Sequence, residues 1–176
     1  MEYVLVCCRL LIGAVFVASA VSKVRGRSAY TSFRIAAGEL TPKVPLIPRA
    51  LVPPAVIAGE LTAALLLAVP ATVGVGFVIA MALLAAFTAA ITMAVRSRRR
   101  VACNCFGTSS TPVGPAQLIR NGVLLAASST GAVLAFSTTS LTLEPIGVFT
   151  ATVAGLLGAG LVLLTEDIAE LFQPFA

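Results

Sequence analysis

The chain has 176 residues, 59% of them hydrophobic and 11% charged, with a net charge of +5 and no histidine. Soluble domains carry roughly a quarter charged residues, so this composition cannot cover a water-facing surface and points to a membrane. Without imidazole, His-based nucleophile activation, His-ligated haem and the common His-containing zinc sites are excluded.

The basic residues lie between apolar runs and no aromatic-rich binding face accompanies them. They read as a membrane-topology signal rather than as nucleic-acid recognition. A bilayer crossing needs roughly 20 mostly apolar residues. The first such run covers residues 3–21 and is interrupted only by Arg9. Ala18-Ser19-Ala20 would suit signal-peptide cleavage. The acidic opening Met1-Glu2-Tyr3 and the charge at Arg9 instead favour a retained span.

Residues 23–50 are too polar to span and too long for a tight turn. Tyr30, Phe33, Ile35 and Leu40 among basic residues suggest an amphipathic interfacial segment; an irregular loop is the alternative. Pro42, Pro45, Pro48, Pro53 and Pro54 are expected to interrupt it. No charge occurs between Glu60 and Arg96, a stretch of roughly 50 Å as helix at about 1.5 Å per residue, more than one crossing needs. Pro70 and Gly74 divide it into spans at 51–69 and 73–95. Further spans are expected at 117–136 and 146–164. In the last, Ala151, Ala154, Gly155, Gly158 and Ala159 make a small-residue face suited to close helix packing.

The expected fold is an all-α, polytopic transmembrane helix bundle of about five spans, a four-helix core plus one additional helix, forming a single domain over 1–176. With five crossings, Lys23, Arg25, Arg27, Arg34, Lys43, Arg49, Arg96, Arg98, Arg99, Arg100 and Arg120 fall on one side; Arg9 lies within a span. The positive-inside rule then sets the N-terminus outside and the connection between the third and fourth spans in the cytoplasm of a multi-pass cell-membrane protein.

That connection carries Cys103-Asn104-Cys105-Phe106-Gly107. Cysteines one residue apart can close a small ring whose disulfide is strained and readily exchanged. Arg96, Arg98, Arg99 and Arg100 upstream would favour the thiolate, and Gly107, Pro112, Gly114 and Pro115 favour an exposed loop. Cys103 and Cys105 are therefore the candidate catalytic residues, against the reading of two ordinary loop residues. One cysteine pair supplies too few ligands for a metal unless a partner or second protomer shares the site. Cys7 and Cys8 read as packing or lipid-facing residues.

Glu60 falls near the middle of its span, where a carboxylate is costly unless paired or protonated. Arg9 is the expected partner, in a structural ion pair or in a proton- or quinone-linked role; Arg9 could instead snorkel to the interface.

Four segments resemble the MauE branch of the MauE/DoxX membrane proteins, which are associated with methylamine utilisation and thiol redox processes. They are Phe16-Val17-Ala18-Ser19-Ala20-Val21-Ser22-Lys23, Gly59-Glu60-Leu61, the Cys103–Gly107 motif, and Leu118-Ile119-Arg120-Asn121. The resemblance implies a helical membrane protein working beside a thioredoxin-like partner and supporting maturation of a disulfide-rich dehydrogenase subunit. Lys23, Glu60, Arg120 and Asn121, with Arg9, then become supporting site residues. That role implies chemistry outside the membrane, whereas the charges put the cysteines inside. The leading reading is a thiol–disulfide relay. Its competitors are a membrane scaffold or complex subunit and, less favoured without an inverted repeat, a small-molecule carrier using Glu60 and Arg9.

Overall fold

The computed structural model describes residues 1–40, 48–96, 115–137 and 144–171. Among the described residues there are six α-helices: α1 (Glu2–Val24), α2 (Arg27–Leu40), α3 (Val52–Ala68), α4 (Val73–Arg96), α5 (Pro115–Ser137) and α6 (Pro145–Leu171). Prolines open three of them. Pro115 and Pro145 begin α5 and α6, and Pro53 lies in the first turn of α3, where the missing N–H has no intrahelical partner to lose. Pro53 and Pro54 thus start a helix rather than interrupt a connection.

Among the described residues, four helical segments are long and apolar enough to cross a membrane: Glu2–Val24, Pro70–Arg96, Ala116–Ser137 and Pro145–Thr165. At 17 residues, α3 reaches roughly 25 Å, near the lower limit for a crossing. It runs antiparallel to α1 and packs between α1 and α4. The expected amphipathic segment after the first span is helical as α2, which buries Phe33, Ala36 and Ala37 at helical spacing and exposes Arg34 and Ile35.

Helix α1 packs against α3, α5 and α6, and α4 lies between α3 and α5. Ile12, Val15 and Phe16 of α1 meet Leu67, Phe77, Leu84 and Leu124 in the core. Outward-facing Leu65, Val78, Val123 and Leu161 are exposed, as lipid-facing side chains of a bundle should be. Thr88 and Thr92 donate to the Leu84 and Thr88 carbonyls of their own helix at 2.7 Å, so they need no partner across the membrane interior.

The C-terminus of α3 shows why the chain turns where it does. Pro70 has no N–H to give the Leu66 carbonyl, and Val69 before it is extended (φ −98°, ψ 123°). The Thr72 hydroxyl replaces that donor at 2.9 Å, and the Thr72 N–H serves the Val69 carbonyl at 3.2 Å. The Leu67 and Ala68 carbonyls accept from the Arg9 guanidinium. Each carbonyl from Leu66 to Val69 thereby has a donor, and the cation sits at the helix end where it is favoured.

The small-residue face of α6 seats against α1. A Cβ at Gly155 would lie 2.8 Å from the Cys7 carbonyl oxygen, and one at Gly158 would lie 2.9 Å from Leu11. Ala151 and Ala159 are buried; Ala154 faces outward. The Glu144 N–H donates to the Tyr3 hydroxyl at 3.3 Å, so α1 and α6 start at the same end and run parallel. The other end gathers the C-termini of α1 and α4 and the N-termini of α3 and α5.

Candidate functional site: a buried ion pair at the basic end of the bundle

Side chains on a helix lean toward its N-terminus. Lys23, in the last turn of α1, therefore reaches back into the bundle over Ser19, one turn earlier on the same face. Glu60 of α3 meets them there. Lys23 Nζ donates to Glu60 Oε1 at 2.5 Å and to Ser19 Oγ at 2.7 Å, and Ser19 Oγ donates to Glu60 Oε1 at 2.9 Å. Glu60 is 0% exposed and Lys23 2%. The ammonium also lies 5.0 Å from the Phe33 ring centroid and 5.8 Å from that of Phe87. These rings from α2 and α4 add cation–π attraction and exclude water. One lysine head group thus ties together α1, α2, α3 and α4.

Beyond Glu60 lies a small cavity of about 20 Å³, lined by Ser19, Glu60, Phe87, Arg120, Asn121 and apolar neighbours. Gln117, Arg120 and Asn121 are all buried and share one face of α5 near its start. Glu60 Oε2 is buried with no hydrogen-bond partner among the described residues. Among the described residues, two buried cations, one buried carboxylate and two buried carboxamides lie at this end of the bundle.

The structure brings Lys23, Glu60, Arg120 and Asn121 together, and it corrects the expected pairing of Glu60 with Arg9. Arg9 leans toward the opposite end of the bundle and caps α3 there, while Lys23 neutralises Glu60. Ser19, Phe33 and Phe87 were not singled out as site residues from sequence. The i, i+4 spacing of Ser19 and Lys23 was the available signal, since it aligns a hydroxyl with a cation on the face turned toward the bundle. Cys103 and Cys105 lie outside the described residues. Their segment joins α4 at Arg96 to α5 at Pro115, both termini at the Lys23 end. Cys7 is half-buried, Cys8 is buried, and both are free thiols in the α1 packing surface.

This arrangement defines a polytopic helical membrane protein with a buried, charged cluster at one end. The family model described as methylamine utilisation protein MauE matches residues 1–137, and the chain belongs to that family. The match runs from α1 through the Cys103–Cys105 pair to the end of α5; α6 follows it. No curated protein and no solved structure matches the chain.

Proposed function

We propose that this MauE-family membrane protein supports thiol–disulfide exchange through Cys103 and Cys105, acting on a thioredoxin-like partner during maturation of a client protein. The observation that carries the reading is the Cys-x-Cys pair within the family-matched stretch. It is flanked by arginines, in the segment linking α4 and α5 where the buried cluster gathers the helix ends. In the exchange, a thiolate of one cysteine attacks the partner's disulfide and displaces one partner thiolate. The second cysteine then attacks the mixed disulfide and releases the partner as a dithiol, leaving Cys103 and Cys105 joined. Two electrons and two protons pass to the partner, and the reverse direction balances equally.

Lys23, Glu60, Arg120 and Asn121 serve this role by fixing the ends of the helices that carry the cysteine segment. The excess of basic residues at this end favours a cytoplasmic orientation for the pair. There it would exchange with reducing partners and pass electrons outward rather than oxidise a secreted substrate directly. A scaffold reading draws on the same cluster, because an ion pair that ties four helices together needs no turnover.

Mixed-disulfide trapping separates the two. With Cys7 and Cys8 replaced by alanine, either Cys103→Ser or Cys105→Ser should accumulate a covalent, dithiothreitol-sensitive complex with a thioredoxin-like protein. The double serine variant should accumulate none. A chain that forms no such complex in either single variant acts as a scaffold.

A further inference from the structure

Oxygen Oε2 of Glu60 is a buried acceptor with no partner among the described residues, and Glu60 lines a cavity of about 20 Å³. An acceptor left unsatisfied in the interior is rare and costly. A polar cavity of that size holds about one water, provided two or more polar groups converge on it. Besides Glu60, the polar residues lining it are Ser19, Arg120 and Asn121. Among the described residues, Lys23 from α1 pairs with Glu60, Arg120 from α5 lines the same cavity, and α4 contributes Phe87 and Leu84.

We propose that this cavity binds one water molecule, hydrogen-bonded to Glu60 Oε2 and the α5 polar groups, and that the buried Lys23–Glu60 pair exchanges protons through it. Nζ hands a proton to Oε1 across the 2.5 Å contact, giving a neutral amine and a carboxylic acid. A half-turn about the terminal carboxyl bond, whose torsion is broad and two-fold, carries that oxygen to the water. The acid passes that proton to the water and takes back a different one, and the water itself exchanges with bulk solvent. No net charge moves over the cycle. The site rests on α1, α3, α4 and α5 alone, so it stands whether or not Cys103 and Cys105 exchange with a partner.

The sequence offers a direct probe, because Lys23 and Lys43 are its only lysines. In a Lys43→Arg background with ¹⁵Nζ-labelled lysine, the remaining signal reports exchange of the Lys23 ammonium protons with solvent, measured in nanodiscs by NMR. Asn121→Leu fills the cavity with a side chain that cannot hold water. It should slow exchange about tenfold, the factor expected when one hydrogen-bonded member of the route is lost. Asn121→Ser keeps a hydroxyl and enlarges the cavity, and should exchange as fast as the wild type or faster. An Asn121→Leu rate equal to the wild type overturns the proposal, as does equal slowing in both variants. If Asn121→Leu does not fold, slowing in Asn121→Ser alone overturns it, and exchange at or above the wild-type rate supports it.

Discussion

Glu60→Gln and Lys23→Met, made singly, are expected to lower the melting temperature in detergent by roughly 10 °C each, and the two together by less than the sum. Each single change leaves a charge buried without its counter-ion. The pair has essentially no solvent to fall back on, with side chains 2% and 1% exposed. Breaking a buried pair typically costs about 3–5 kcal/mol, whereas removing both charges is far milder. At roughly 2–4 °C per kcal/mol for a chain of this size, the single effects are large. The cycle has an internal control. Exchanging the charges of Arg9 and Glu60 should rescue nothing, since Arg9 donates to the Leu67 and Ala68 carbonyls at the other end of α3. Strictly additive losses for Lys23 and Glu60 would mean that the contact does not carry the coupling.

Gly131→Leu should be comparably damaging. A Cβ at Gly131 would sit 2.3 Å from Cζ of Phe77, and Phe77 is 0% exposed at the centre of the core. The ring has nowhere to move without opening the α4–α5 contact, so overpacking here should exceed the usual ~1–3 kcal/mol. Phe77→Ala alone should cost about 3–5 kcal/mol through the cavity it leaves. Combined, the two changes restore volume across the same contact, and Gly131→Leu/Phe77→Ala should melt above either single variant. Double-variant melting at or below the lower single would show that Gly131 is not required by the ring.

Much of the bundle was legible in sequence. Apolar runs, charge boundaries and Pro70 located the helices closely, because in a membrane every backbone polar group must be satisfied within a helix and the alternatives are few. The small-residue face of α6 was legible for the same reason, since close approach requires missing side-chain volume. The partner of Glu60 was not. Arg9 and Lys23 lie on the same helix, and linear order alone does not say which one meets Glu60. The deciding fact is directional: side chains lean toward the helix N-terminus, so Lys23 reaches inward and Arg9 reaches out to the Pro70 turn. The clustering of Arg120 and Asn121 with Glu60 likewise depends on α5 folding back beside α1, a long-range contact that no local pattern encodes. Resemblance at the family level pointed to these residues, and the packing explains why they occur together.

The central claim is that Cys103 and Cys105 form an exchangeable disulfide, and thiol trapping across a series of redox buffers tests it most directly. Purified protein carrying Cys7→Ala and Cys8→Ala retains only these two of the chain's four cysteines. It should pass from two modified thiols to none in a single two-electron transition, and that transition should vanish when either Cys103 or Cys105 is changed to serine. Two thiols that remain reduced throughout oxidising buffers would contradict the account.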